Sequence, residues 1–78
     1  MRTLTDDNGR QWTAVVGRES YGVHVILFMA SGGGAAMQAP LDSETWLEAE
    51  RELEALDDGE LQQRLSGAWP WGESFTGD

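Results

Sequence analysis

The spacing of apolar residues changes period at Pro40, and that change decides the fold class. Before it, Trp12, Ala14 and Val16 alternate with other residues, as do Val23, Val25, Leu27 and Met29. After it, Trp46, Ala49, Leu53 and Leu56 recur at spacings of three and four. A period of two marks a strand with one side toward a core, and a period near 3.6 marks a helix. The chain therefore reads as an α+β domain: a three- or four-stranded antiparallel meander followed by one long and one short helix packed on the sheet.

Residues 1–72 read as a single domain, with 1–40 as the β-meander, 41–67 as an acidic helical part and 68–72 as an aromatic segment. Residues 73–78 read as a frayed tail. A chain of 78 residues buries only about 60–65% of the surface its unfolded form exposes, so core packing leaves it marginally stable. It has no cysteine and so no disulfide to help.

Local signals divide the β half. Asn8-Gly9 is a strong hairpin signal, because both central residues of a type I′ turn need positive φ. With Asn8 and Gly9 as that turn, Asp7 faces Arg10 and Thr5 faces Trp12. The second strand then runs from Arg10 to Val16, and Gly17 to Ser20 reads as a turn. Tyr21 to Ala30 is apolar on both faces, which suits a central strand covered on both sides or nearly so. Gly32-Gly33-Gly34 is a flexible connection, and Ala35 to Ala39 reads as a short fourth strand on an edge, ended by Pro40.

In the helical half, Asp42 or Ser43 is the expected cap, with Glu44 in the first turn. The stripe of Trp46, Ala49, Leu53 and Leu56 is expected to lie on the sheet. Asp57 and Glu60 have capping-box spacing, and Gly67 is a C-terminal stop.

Charge is divided along the same boundary. Residues 1–40 carry three acids and three bases; residues 41–78 carry eleven acids and two bases, which accounts for the net charge of −9. Nine of those acids fall between Asp42 and Glu60. Such a layout argues for a basic partner and against direct binding to a nucleic-acid backbone or an anionic membrane. Glu44, Glu48 and Glu52 form one i, i+4 stripe, with carboxylates roughly 6 Å apart along a helix axis. They serve as a solvated face or, with Asp57 and Asp58, as a docking face for an Arg/Lys-rich surface. Trp69 and Trp71, held extended by Pro70, either fold back over an open end of the sheet or anchor in a partner's pocket.

No catalytic, cofactor-binding or metal-ligating constellation is legible. His24 is the sole histidine and reads as structural. The glycine run has no lysine to make it a phosphate loop, since the chain has no lysine. The aspartate-rich turns do not follow a calcium-loop pattern. The N-terminus has no apolar stretch and the longest apolar run is too short to span a bilayer, so a cytoplasmic setting is expected. Arginine as the sole basic residue, with abundant Gly, Ala, Asp and Glu, suits a GC-rich bacterial or phage genome.

The expected function is a small, non-enzymatic protein-binding module that docks on a basic surface of a larger macromolecule. It would act as an inhibitor (an immunity protein, antitoxin, phage-type blocker or nucleic-acid mimic) or as an accessory subunit of a nucleic-acid-processing machine. The alternative is a self-associating structural protein that pairs through an edge strand or the Trp-rich tail.

Overall fold

The computed structural model describes residues 1–18, 23–34 and 36–71. Five strands form one antiparallel sheet in sequential order: β1 (Arg2–Thr5), β2 (Gln11–Arg18), β3 (His24–Ala30), β4 (Met37–Pro40) and β5 (Trp69–Pro70). Helices α1 (Trp46–Ala55) and α2 (Asp58–Ser66) lie between β4 and β5. The fold is α+β, with one more strand than the meander expected from the sequence. The extra strand is Trp69–Pro70, which pairs with β4 through Gln38 and Met37. β4 is therefore flanked on both sides, and β1 and β5 are the edges. Ala35, expected to begin the fourth strand, lies outside the described residues.

Both helices pack on the same face of the sheet. There Trp12, Ala14, Val16, Ile26, Phe28 and Ala39 meet Leu41, Ala49, Leu53 and Leu61 in one core. The alternation anticipated in β2 is present, with Trp12, Ala14 and Val16 all buried. β3 sits centrally, as its apolar character suggested. Its second face is partly covered: Val25 is buried there, whereas Leu27 is half-buried and Met29 is 42% exposed.

The first hairpin differs in register from the Asn-Gly expectation. Leu4 pairs with Trp12 and Thr5 with Gln11. Gly9 has a φ of 83°, but no residue other than glycine has positive φ among those described, so the type I′ turn does not form. The competing influence is Asp6. Its Oδ1 accepts the backbone N–H groups of Asn8 and Arg10, both at 2.9 Å, and its Oδ2 accepts the Trp12 indole N–H at 2.9 Å. Asp6 thus closes a longer loop, and the one-residue slip turns Leu4 toward the core in place of Thr5.

β2 also runs further than expected, through Gly17 to Arg18. Gly17 is a strand residue because the Leu27 side chain lies across it; a Cβ there would stand 2.6 Å from Leu27 carbons. Glu19 and Ser20 of the expected turn, and Tyr21 and Gly22 of the expected strand start, lie outside the described residues, as does the tail 73–78.

Arg2 fastens β1 to the helices. One guanidinium nitrogen donates to the carbonyls of Leu53 (2.9 Å) and Leu56 (2.7 Å), and the other to Asp58 Oδ1 (3.1 Å). These carbonyls belong to the last turn of α1, where a cation also offsets the helix dipole.

Candidate docking surface

α1 begins later than the sequence suggested. Thr45 is the cap, with its Oγ1 accepting the Glu48 N–H at 3.2 Å. Asp42 and Ser43 are instead engaged by Glu52: the Ser43 hydroxyl donates to its carboxylate at 2.6 Å, and the Asp42 N–H donates to it at 3.2 Å. Glu44 consequently precedes the helix. Glu44 and Glu48 are exposed, whereas Glu52 is half-buried and holds the β4–α1 connection in place.

The late start also changes the role of Trp46. It occupies the first helical position and is 47% exposed, so it lies outside the buried stripe of Ala49 and Leu53. Its ring meets His24, which opens β3 opposite Arg18 at the end of β2. The sheet has run out by this point, so beyond this ring contact about half of the indole is left in solvent. Its N–H donates to Glu50 Oε2 at 3.0 Å. Leu47, next in sequence, is 61% exposed. Two large exposed apolar side chains thus follow one another in sequence at the start of α1, with Glu44, Glu48 and Glu50 close by in sequence. His24 itself is buried, and its Nδ1 has no hydrogen-bond partner among the described residues.

α2 starts as expected. Asp57 accepts the Glu60 N–H at 2.7 Å, Glu60 accepts the Asp57 N–H at 3.1 Å, and Gly67 is the C-cap. Asp57 and Asp58 are both exposed. Asp57 accepts a backbone N–H in the cap, which leaves its charge in place, whereas Asp58 is paired with the Arg2 guanidinium at 3.1 Å.

Counter-charges are scarce on this layer. The ion pairs among the described residues are Met1 amine with Glu54 and Arg2 with Asp58, each at 3.1 Å. Arg51 pairs with neither Glu48 nor Glu54, and Arg64 donates to the Pro40 carbonyl at 3.2 Å.

The tryptophans of the C-terminal segment lie elsewhere. Trp69 pairs with Gln38, which pairs with Leu27, so its side chain belongs to the helix-free face. It is 43% exposed. Trp71 continues the strand by donating its N–H to the Ala36 carbonyl at 2.8 Å. The acids and Trp69 are therefore on opposite sides of the sheet, and the aromatic that shares the acidic layer is Trp46. Sequence reasoning set Trp46 aside as core and passed over Leu47. Leu47 falls off the i, i+3, i+4 stripe, and that is the signal that could have marked it.

A groove of about 260 Å³ lies between the first hairpin and α2, lined by Asp6, Asp7, Trp12, Met37, Gln62 and Leu65 among others. Asp6 is occupied by the hairpin, and Asp7 Oδ1 accepts from the Gln62 side chain at 2.9 Å. Among the described residues no group of three or more His, Asp or Glu side chains is placed to hold a metal ion, and no helix is long and apolar enough to cross a membrane. No family model, curated protein or solved structure matches this chain.

Proposed function

We propose that the protein is a small non-enzymatic binding module that docks its helical layer on a basic surface of a larger macromolecule. It acts there as an inhibitor or as an accessory subunit. The observation that carries this reading is the exposed pair Trp46 and Leu47, set among carboxylates that have few counter-charges. An apolar centre with a charged rim is the usual anatomy of a protein interface. The centre supplies affinity by excluding water, while the rim supplies steering and orientation. Glu44 and Glu48 are best suited to the rim, because neither side chain is engaged in holding the fold.

The two modes separate by competition. An inhibitor excludes nucleic acid from the partner, whereas an accessory subunit forms a ternary complex with it. The test is affinity capture on the tagged chain from nuclease-treated lysate at low and high salt, with wild type beside the Glu44→Gln/Glu48→Gln double variant. The expected result is a stoichiometric basic protein, lost at high salt and weakened in the variant, since exposed charges act through screened attraction. Equal recovery by wild type and variant at both salt levels would reject the acidic rim.

A further inference from the structure

The groove of about 260 Å³ between the first hairpin and α2 has a lining of two kinds. One is apolar: Trp12 from β2, Met37 from β4 and Leu65 from α2. The other is acidic and rich in acceptors. Asp6 and Asp7 both line the groove, and none of the described lining residues is basic. Asp7 receives the Gln62 side-chain N–H on Oδ1. Its Oδ2 and the Gln62 amide oxygen accept no hydrogen bond among the described residues. Asp6 uses its oxygens in the hairpin, but its partners there are uncharged N–H groups, which leave its charge in place.

We infer that this groove is a receptor for one arginine side chain, presented by the basic surface on which the protein docks. The inference rests on the docking reading for the source of the arginine, but not for the site itself. Size, lining and charge select this occupant together. The volume lies below the ~300 Å³ at which small-molecule pockets begin, which suits a single side chain. The apolar lining suits a methylene stem, which arginine buries while its head stays among polar groups. The head then meets two carboxylates with no base beside them. A guanidinium carries five N–H donors in a planar fork and no acceptor. The open oxygens of Asp7 and Gln62 are acceptors for those donors; an anionic or purely apolar group would leave them unpaired.

The chain's own bases do not fill the groove. Arg10 lies over the Trp12 ring, 5.7 Å from its centroid, but neither lines the groove nor forms an ion pair with Asp6 or Asp7. The position also suits docking. Trp12 and Met37 belong to the helix side of the sheet. Trp12 pairs with Ala30 at the end of β3, whereas Trp46 meets His24 at its start. The groove is thus a second contact point on the helical layer, at the far end of β3 from Trp46.

N-acetyl-arginine amide, added at millimolar concentration to the isotope-labelled full chain in low salt, tests this with no partner present. Its failure is therefore distinct from a failure of the docking reading, which affinity capture tests. The expected result is saturable shifts of the Asp7 and Gln62 backbone amides and the Trp12 indole N–H. The Trp46 indole should stay unmoved, and binding should weaken as salt is added. N-acetyl-citrulline amide, of similar shape with a neutral head, should bind about tenfold more weakly. N-acetyl-lysine amide, lacking the planar fork, should also bind more weakly than the arginine probe. Asp7→Asn, at an exposed position, should weaken the arginine probe about fivefold while leaving the circular dichroism spectrum unchanged. An absence of saturable shifts at the groove would overturn the inference. So would a citrulline or lysine probe that binds as well as arginine, an Asp7→Asn variant that binds like wild type, or shifts spread evenly over the acidic helices.

Discussion

Trp46 stands edge-on to His24, with ring centroids 5.9 Å apart and planes at 71°. An edge-to-face pair of this kind contributes about 0.5–1.5 kcal/mol beyond its buried area. Trp46 keeps 47% of its surface in solvent, whereas Leu53 keeps none. Trp46→Ala should therefore cost about 1–2 kcal/mol, well short of the ~3–5 kcal/mol of a fully buried tryptophan, and Leu53→Ala about 2–5 kcal/mol. Urea unfolding of the two variants checks the order; a larger loss from Trp46→Ala would show that the indole is a core residue.

Two glutamates one helical turn apart should behave differently. Glu52 receives the Ser43 hydroxyl and the Asp42 N–H, so Glu52→Ala should destabilise by about 1–2 kcal/mol. The Glu48 side chain holds nothing in the fold, so Glu48→Ala should change stability by less than about 0.5 kcal/mol. Thermal unfolding at matched pH measures both. Equal losses would mean the carboxylate of Glu52 does not secure the connection.

Asp6 predicts a pH dependence. The Trp12 indole N–H, followed by the backbone N–H groups of Arg10 and Asn8, holds its carboxyl below the usual carboxylate value of 3.8. A folded-state pKa below the unfolded one means the unfolded chain takes up the proton first. The stability from Asp6 is therefore complete above the unfolded value and is lost as pH falls through the folded one. Asp6→Asn should lower stability at neutral pH and flatten the decline below about pH 4. The check is a series of denaturation midpoints from neutral to acid pH. Parallel curves for wild type and variant would remove Asp6 from the account.

The elements legible in the sequence were those fixed by local chemistry with no strong rival. The alternation of Trp12, Ala14 and Val16 faced nothing that could reverse it, and Asp57 and Glu60 close a capping box that needs no distant partner. The misreadings occurred where two local signals competed. Asn8-Gly9 favoured one turn, but the carboxylate of Asp6 reached two backbone N–H groups and an indole, and its loop prevailed. Asp42, Ser43 and Thr45 are all good caps; the first two were drawn off by Glu52, a partner nine or more residues away. Trp46 has the right spacing for the core, yet spacing does not reveal where the sheet ends. Trp69-Pro70 is too short to read as a strand, and it exists because β4 offers a free side. For the candidate site, the acidic layer was legible from charge alone. Its apolar centre was not, because that depends on where α1 starts.

The central claim is that partner contact falls on the helical layer around Trp46 and Leu47. Backbone amide spectra of the labelled chain, titrated with the basic protein recovered by affinity capture, test it most directly. The account predicts shifts concentrated from Glu44 to Glu54 and around Asp57 to Glu60, diminishing with added salt, with Thr13, Val15, Leu27 and Met29 unmoved. Shifts confined to those four sheet residues, with the start of α1 unmoved, would contradict it.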